Sequence, residues 1–317
     1  MPEENIDERM PVFIINGFLE AGKTQFLRFT IDQDYFKTEG KTLLIVCEEG
    51  TEEYPKELLM RNHTILVQVS DIAEVSKEKL EAMAAAYNPE RIIIEWNGMW
   101  PMGELRIPDD WFLNQQITIV DTSTLDIYLK NMKPLMGQML KYTEMMICNR
   151  ADGISEDTLG SYYLQLKAMA QNAEIIFEGK EGEIRGDFNI ELPYDINADV
   201  IEIGDDDFGV FYVDTMDRPE RYDGLTVEFT GEVLHPRELP NNAFVPGRMV
   251  MTCCEADMQF LGHICYYSGA AEYKNGDWIK VRAKIKAMKH PMYGGIGPVL
   301  YADKVVRTGK IDKPAGF

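Results

Sequence analysis

A short glycine-rich segment carries the most specific chemical pattern in the sequence. Gly17 to Thr24 reads GFLEAGKT and matches GxxxxGK[ST], a loop whose backbone N–H groups surround phosphate oxygens. Lys23 is predicted to reach the β- and γ-phosphates, and Thr24 to give its hydroxyl to Mg²⁺. The loop lies between an apolar strand-like run and a helix-like run, whose N-terminal end favours anions. The predicted phosphate-binding residues are Gly17, Glu20, Ala21, Gly22, Lys23, Thr24 and Gln25.

Nucleotide sites of this kind hold Mg²⁺ with a carboxylate in addition to the hydroxyl of the loop. Two predicted strands end in an acidic residue that could provide this carboxylate. The run RIIIEW places Glu95 near the end of an apolar segment. We therefore predict that Glu95 lies on the Mg²⁺ side, and the alternative is a carboxylate that only caps the end of a strand. Asp121, at the end of QITIVD, is a second candidate, for which a structural role is the alternative.

Hydrolysis of a nucleotide requires an oriented water molecule, and the sequence CEEG offers two carboxylates after a predicted strand. Glu48 or Glu49 would orient that water or help coordinate Mg²⁺. Charged surface residues are the alternative in so acidic a chain. Lys23, Glu48 and Glu49 are thus the predicted catalytic residues.

The sequence NRAD, residues 149–152, follows the apolar run EMMICN. Ligands of parallel sheets bind at the carboxyl ends of the strands, which is where this run ends. Asp152 would accept two hydrogen bonds from N1–H and the N2 amine of guanine, a pair that adenine lacks. Asn149 would tie this segment to the base and to the phosphate loop, and Arg150 can lie along the base. GTP is therefore the predicted nucleotide; the alternative is a helix entry capped by Asp152 and Ser155.

The elements that must position these residues follow from the apolar pattern of the first half. Runs rich in Ile and Val are typical of strands that are covered on both faces. Helix-length segments separate them, with Ser76, Ser123 and Ser155 at their starts. This alternation predicts a doubly wound, mostly parallel α/β domain. The predicted strands are 11–16, 42–48, 64–69, 91–96, 116–121, 144–149 and 173–178, and the predicted helices are 23–36, 55–62, 77–87, 123–141 and 156–171.

The pattern changes after the last of these strands. An acidic connection, 181–221, is predicted to hold one or two strands and no helix. About five strand-like runs separated by turn signals follow in 222–317. They predict a small all-β domain, an OB-like barrel. The predicted first domain is 1–180.

Composition limits the partners. The 317 residues include 32 Lys and Arg against 53 Asp and Glu, a formal charge of −21. Such a chain lacks the cationic excess that tracks nucleic acid or anionic lipid. No apolar run approaches the roughly 20 residues of a membrane helix, and no secretory signal begins the sequence. Five cysteines are few and odd in number, which favours a reducing cytoplasm.

Residues 1–180 resemble the CobW/HypB/UreG family of P-loop GTPases, and CobW-like proteins most closely. The matching sequences are GFLEAGKT, CEEG, IIIEWNG, TIVDTSTL and NRAD. The resemblance implies GTP hydrolysis coupled to metal insertion into target enzymes. Two features depart from the family: residues 48–94 contain no cysteine, where the family has a CxCC metal motif, and Arg150 replaces the usual lysine.

The second half is similar to a β-rich domain of uncharacterised proteins associated with predicted permeases. The predicted function is a Mg²⁺-dependent GTPase of CobW-like type that acts as a switch in metal handling or partner maturation. Its protein partner would be a metalloprotein or a permease component. The alternative is a non-catalytic nucleotide-binding scaffold that docks a transporter or partner through the β-rich domain.

A cluster of soft ligands lies in the second half, within thirteen positions. It is a candidate transition-metal site, for zinc, with buried thiols or redox chemistry as the alternatives. In a hairpin of GRMVMTCC and FLGHICYY, Cys253 would lie opposite Leu261. Cys47 is a further soft ligand, for which a place in the core is the alternative. The cluster consists of Cys253, Cys254, His263 and Cys265.

Overall fold

The chain divides into two compact units. The first contains Met1–Ile154 and Asn172–Asp187, and the second contains Ser155–Gln171 and Phe188–Phe317. The computed structural model describes residues 9–48, 50, 52–184, 188, 191–251 and 258–315. The domain boundaries at residues 180 and 221 stay predictions.

An eight-stranded sheet forms the first unit. Its strands are β1 (Met10–Asn16), β2 (Thr42–Val46), β3 (Thr64–Gln68), β4 (Arg91–Glu95), β5 (Trp111–Asp121), β6 (Met145–Asn149), β7 (Glu174–Gly179) and β8 (Gly182–Glu183). The strand order is β3-β2-β4-β1-β5-β6-β7-β8, and every neighbouring pair is parallel apart from β7–β8. The predicted α/β fold is confirmed, because the seven predicted strands are β1 to β7.

The apolar runs form strands because both faces of this sheet are covered. All five residues of β2 are buried. Leu43 and Ile45 belong to one hydrophobic cluster, whereas Leu44 and Val46 belong to another. Successive side chains of a strand point to opposite faces, so these clusters lie on the two sides of the sheet. A strand of this kind needs apolar residues at every position.

The register of the parallel strands gathers the predicted site residues at one edge of the sheet. Glu95 of β4 pairs with Ile15 of β1 on one side and with Val46 of β2 on the other. Asp121 of β5 pairs with Asn149 of β6. The phosphate loop follows β1 directly, so it leaves the sheet between the ends of β4 and β5.

Five helices accompany these strands: α1 (Lys23–Ile31), α2 (Lys56–Arg61), α3 (Lys77–Tyr87), α4 (Leu125–Asn131) and α5 (Lys133–Leu140). The prediction of one helix over 123–141 is wrong, because the chain breaks between α4 and α5 at Met132, with φ −132° and ψ 24°. Pro134 causes this break, since proline has no N–H to donate and its ring clashes with the preceding turn. It is tolerated in the first turn of α5.

The three predicted serine caps differ in outcome. The side chain of Ser155 accepts a hydrogen bond from the Thr158 N–H at 3.3 Å, so this cap is confirmed. Ser76 precedes α3 but its side chain makes no capping bond. Ser123 lies outside α4 and donates its hydroxyl to Asp121 Oδ1 at 2.6 Å.

The second unit contains two helices, α6 (Glu156–Met169) and α7 (Phe208–Asp217). The prediction that 181–221 contains no helix is wrong, because α7 lies within it. Phe208, Phe211 and Val213 of α7 are buried, so this helix forms part of the core. The acidic run just before it suits a helix start, since the N-terminal end of a helix favours negative charge. None of the helices in the described part of the chain is long and apolar enough to cross a membrane.

The remaining strands of the second unit form one sheet that includes a small ring. They are β9 (Ile201–Glu202), β10 (Thr226–Leu234), β11 (Ala243–Met251), β12 (Met258–Gly262), β13 (Cys265–Tyr266), β14 (Trp278–His290) and β15 (Gly295–Arg307). Strand β9 pairs with β10, and β12 pairs with β11, outside the ring. Pairings run from β10 to β11, β13, β15, β14 and back to β10. A second, mostly β domain is confirmed, in which the five predicted strand runs form β10 to β15 and FLGHICYY is divided between β12 and β13. The finer OB-like assignment stays a prediction.

The predicted register of β11 with the following strand is wrong. Leu261 pairs with Arg248, five positions before Cys253, and Cys253 lies outside the described residues. The physical reason is that Arg248 points inward with Val250, since both are buried whereas Met249 is exposed. Arg248 is accommodated there because it donates to Asp205 Oδ1 at 2.8 Å and lies over the ring of Trp278.

Three glycines lie where β10, β11 and β12 approach each other. Gly247 pairs with Glu232 of β10 and with Gly262 of β12. A Cβ at Gly247 would lie 2.3 Å from the Leu261 carbonyl oxygen, and one at Gly231 would lie 2.9 Å from the Gly247 nitrogen. The ring therefore closes with no room for side chains at these positions.

We expect Gly247→Ala to lower the free energy of unfolding by about 1–3 kcal/mol, because its methyl group overpacks the crossing. Gly295→Ala is the matched control, since no atom lies within 4 Å of a Cβ there. Urea unfolding of both variants checks this expectation. Equal free energies of unfolding for the two variants would show that β10, β11 and β12 can move apart to fit a methyl group with little loss of stability.

Candidate nucleotide-binding site

The phosphate loop depends on backbone conformations that glycine allows. Gly17 and Gly22 have φ of 141° and 105°, which other residues rarely adopt. A Cβ at Gly17 would lie 2.4 Å from the Ile119 carbonyl oxygen, and one at Gly22 would lie 2.8 Å from Asn149 Nδ2. Glu20 also has a positive φ, 61°. The loop is thus held against the ends of β5 and β6.

The ammonium group of Lys23 lies inside this loop. The residue is only 3% exposed. Its Nζ donates to the carbonyl oxygens of Gly17 and Phe18, at 2.8 and 2.9 Å, and to Glu48 Oε2 at 2.5 Å. Two of the three predicted catalytic residues are therefore in contact, while Glu49 lies outside the described residues.

A second contact set joins Thr24 and Glu95. Glu95 is 2% exposed, and its Oε1 accepts the Thr24 hydroxyl at 2.7 Å while its Oε2 accepts the Tyr54 hydroxyl at 2.5 Å. Burial raises the pKa of the Glu95 carboxyl, and the bonds from Tyr54 and Thr24 oppose that shift. A hydroxyl and a carboxylate at this distance are the oxygen donors that Mg²⁺ prefers. These residues therefore fit Mg²⁺.

The NRAD segment contacts the same loop. Asn149 Nδ2 donates to the Ala21 carbonyl oxygen at 2.7 Å, which is the predicted tie to the phosphate loop. Arg150 has a φ of 53°, and its guanidinium donates to the Glu20 carbonyl oxygen at 3.0 Å and to Asp121. Asp121 also accepts from Ser123, which agrees with the structural role given as its alternative, and a role on the Mg²⁺ side stays a prediction.

Asp152 is exposed, and its described contacts are with the turn after β7. Its Oδ1 accepts the Lys180 N–H at 2.9 Å, and Gly179 approaches the same oxygen closely enough that a Cβ there would lie 2.9 Å away. The start of the turn after β7 thus orients this carboxylate. The Ala151 N–H, which donates to the Glu178 carbonyl oxygen at 3.0 Å, holds the segment beside β7.

Most of these groups border one cleft of about 370 Å³. It is formed mainly by the phosphate loop, by residues after β2, and by the ends of β4 and β5. Gly17, Asn149 and Asp152 do not border it, although Gly17 belongs to the loop and Asn149 contacts it. The predicted residues that line the cleft are Glu20, Ala21, Gly22, Lys23, Thr24, Gln25, Glu48, Glu95, Asp121 and Arg150.

Comparison with protein families decides the relationship. The CobW/HypB/UreG nucleotide-binding domain matches residues 11–177, more than half of the chain. The chain belongs to the CobW/HypB/UreG family. The DUF1980 C-terminal domain matches residues 179–315, so the family's nucleotide-binding domain is joined here to a second, mostly β domain.

Individual relatives are distant. Zinc-regulated GTPase metalloprotein activator 1 of Schizosaccharomyces pombe is 24% identical over 174 residues, covering 47% of this chain and 41% of the relative. The chain thus spans less than half the length of that relative.

Among solved structures, HypB of Archaeoglobus fulgidus, a hydrogenase maturation factor, has a TM-score of 0.38 at 16% identity, covering 54% of this chain and 82% of that one. HypB of Helicobacter pylori in complex with nickel has a TM-score of 0.36 at 14% identity, covering 55% and 80%. The fold assignment rests on strand order and on the family match.

Three residues of the CobW/HypB/UreG domain escaped the sequence reasoning. Tyr54 carries no motif, and only the structure shows its bond to Glu95. Gly98 follows β4, and a Cβ there would lie 2.4 Å from the Gly17 carbonyl oxygen; the turn-forming pair NG was the available signal. Tyr128 stacks on Phe18 with ring centroids 4.3 Å apart, which sequence spacing does not reveal.

The predicted soft-ligand cluster is described only in part, because Cys253 and Cys254 lie outside the described residues. His263 and Cys265 are fully buried in the second unit. His263 Nε2 lies 2.8 Å from Thr215 Oγ1, and its ring stacks on Tyr212. Within the described ranges, no group of three or more His, Cys, Asp or Glu could hold a metal ion. A metal site that includes Cys253 and Cys254 stays a prediction.

Cys47 is a buried thiol of the first unit, next to the nucleotide site. It is 1% exposed, which fits the core role given as its alternative. Burial, and then the charges of Glu95 and Glu48, raise the pKa of the Cys47 thiol to about 12. The thiol therefore stays protonated at neutral pH and is a poor metal ligand as it stands.

We expect His263 to make stability depend on pH. Burial lowers the pKa of His263 to about 3, whereas the unfolded histidine titrates near 6.5. The unfolded state therefore binds the proton first, so stability is complete above about pH 6.5 and falls as the pH drops from there towards 3. From pH 7 to pH 5 the loss should be on the order of 2 kcal/mol.

Urea unfolding at the two pH values measures this loss. His263→Gln should lose less stability on acidification than the wild type, and His63→Asn, at an exposed position, should behave as the wild type does. An unchanged pH response in His263→Gln would mean that His263 is protonated in the folded protein.

Proposed function

We propose that this protein binds GTP with Mg²⁺ and hydrolyses it, acting as a switch in metal handling or in the maturation of a partner metalloprotein. The observation that carries the proposal is the pair of contacts on the phosphate loop. Lys23 meets Glu48, and Thr24 meets Glu95, within one cleft. The first pair supplies a cation for phosphates, and the second pair supplies oxygens for a metal ion.

The phosphates would bind in the loop, where Lys23 provides the charge. Its ammonium is now satisfied by Glu48 and two carbonyl groups. A β- or γ-phosphate would replace Glu48 as the anionic partner, since both compete for the same donor. When bound, Mg²⁺ neutralises charge on the phosphate oxygens. Thr24 and Glu95 would hold it.

Glu48 would serve hydrolysis after it leaves Lys23. Its position two residues after the end of β2 keeps its carboxylate at the border of the cleft. A carboxylate there would accept a hydrogen bond from a water molecule and orient it towards the γ-phosphate. Glu49 is proposed as the second carboxylate for the same role.

Guanine would be read by Asp152, with Arg150 beside it. The Lys180 N–H occupies one side of the carboxylate, which fixes its orientation. The Asn149 contact with Ala21 links this segment to the phosphate loop. We propose that the base lies between the NRAD segment and the loop, with the Arg150 guanidinium along it.

We expect GTP to bind with Mg²⁺ much more tightly than ATP, and to be hydrolysed slowly. Asp152→Asn keeps an acceptor for the Lys180 N–H but turns one acceptor for guanine into a donor. It should remove most of the preference, roughly 1–3 kcal/mol by analogy with two-bond base readout. Labelled-nucleotide binding and phosphate release measure both properties.

Lys23→Ala is the control for the same experiment and should lose binding of both nucleotides while the fold remains intact. Equal affinity of the wild type for GTP and ATP would contradict the guanine proposal. Tight GTP binding without turnover would favour the scaffold alternative, in which the second domain docks a partner.

A role in metal handling would place the metal in the second domain. The first domain lacks the family's cysteine motif, and three of the five cysteines lie within 253–265. Thiolates hold zinc tightly because soft sulfur suits this metal. The proposed cytoplasmic location agrees with free thiols at Cys47, Cys148 and Cys265.

We expect the purified full chain to bind zinc, and Cys253→Ser with Cys254→Ser to lose it while GTP binding persists. Cys148→Ala is the matched control, since Cys148 is buried in the first unit and should retain the metal. Zinc content after dialysis is the measurement. If the wild-type chain does not bind added zinc, the proposed role in metal handling is wrong.

A further inference from the structure

We infer that Tyr54 is a positioning residue for Mg²⁺. Its hydroxyl fixes the Glu95 carboxylate in the orientation in which Glu95 and Thr24 together serve the ion. The inference rests on the proposed function, because it concerns the same site. It assigns a role to a residue that no motif marks.

Glu95 is held at both carboxylate oxygens. Oε1 accepts from Thr24 and Oε2 accepts from Tyr54, at 2.7 and 2.5 Å. The last torsion of a glutamate side chain has only a broad preference. A single hydrogen bond would therefore leave the plane of the carboxylate undefined, whereas two donors from opposite sides define it.

Position explains why a tyrosine performs this task. Glu95 is nearly inaccessible to water, so a donor for Oε2 must come from the protein. Tyr54 precedes α2 and spans the distance with a rigid ring. The bond from Arg28 to Glu52, at 2.6 Å, ties the adjacent chain to α1. Tyr54 thus approaches Glu95 from a chain segment that has a surface contact with α1.

The same stretch of chain contacts both halves of the site. Glu48 binds Lys23, which is the proposed phosphate ligand, and Tyr54 binds Glu95, which is the proposed Mg²⁺ ligand. Glu95, which would hold the metal ion, is bonded to Tyr54, and Lys23, which would hold the phosphates, is bonded to Glu48. The residues after β2 therefore contact both the proposed metal ligand and the proposed phosphate ligand.

Tyr54→Phe tests the role because it removes one oxygen and keeps the ring. Residues that orient metal ligands contribute about 10- to 100-fold to metal affinity. We expect the Mg²⁺ concentration for half-maximal tightening of labelled GDP binding to rise about tenfold. Binding of labelled GDP in EDTA should stay within about twofold of the wild type. Tyr35→Phe, at a position 79% exposed, should match the wild type in both.

Each outcome decides something different. The ratio of GDP affinities with and without Mg²⁺ is taken within each variant, so a partly unfolded sample does not distort it. A wild-type ratio in Tyr54→Phe overturns the inference, because an equal loss of affinity with and without Mg²⁺ gives that ratio and marks a merely structural residue. Failure of the wild type to bind GDP at all would instead remove the proposed function.

Discussion

A buried ammonium group determines the structure of the nucleotide site. Lys23 is almost completely removed from water, and a charge in that position is tolerated only when it is fully paired. Two carbonyl groups of its own loop and the Glu48 carboxylate satisfy it. The loop must therefore curl around the side chain, and the residue after β2 must lie against it. The loop conformation, with its two left-handed glycines, follows from this requirement.

The contact between Lys23 and Glu48 also suggests how the proposed switch would work. A phosphate that enters the loop would compete with Glu48 for the Lys23 ammonium group, so binding would itself displace Glu48 from Lys23. Gly98 constrains the other side, because it packs against the backbone of Gly17 and Phe18. Gly98 thus constrains the loop on the β4 side, whereas the contact on the β2 side, between Lys23 and Glu48, is the one that a phosphate would replace. A nucleotide would change the second contact and leave the first.

Much of the first unit could be predicted because its signals are local. Continuous apolar runs gave the strands, and the spacing of Gly17, Gly22 and Lys23 gave the loop. The role of Tyr54 could not be predicted, because it arises only when the chain after β2 meets the end of β4. Pro134 indicates the division between α4 and α5, but the apolar pattern on either side of it favours one continuous helix, and the prediction followed that pattern.

The second unit was harder to predict because its signals conflict. Helix α7 stands next to an acidic run that suggested an irregular connection, yet its aromatic residues belong to the core. Arg248 is a charged residue on the inward face of β11. A charged residue is normally expected on the outward face, so the predicted register of β11 was wrong. Its partner Asp205 lies 43 positions earlier in the chain. Only the folded chain shows that this charge is neutralised.

The ring of the second unit also affects how the chain is made. Thr226 of β10 pairs with Lys284 of β14. The two residues of the short strand β13 pair with Leu300 and Tyr301 of β15. Contacts between such distant segments form slowly. While the chain is being synthesised, β10 and β11 emerge before either partner that encloses them. Their hydrogen-bonding edges stay open until β13 and β14 arrive, and this interval is when the nascent protein is most exposed to unwanted pairing with other chains.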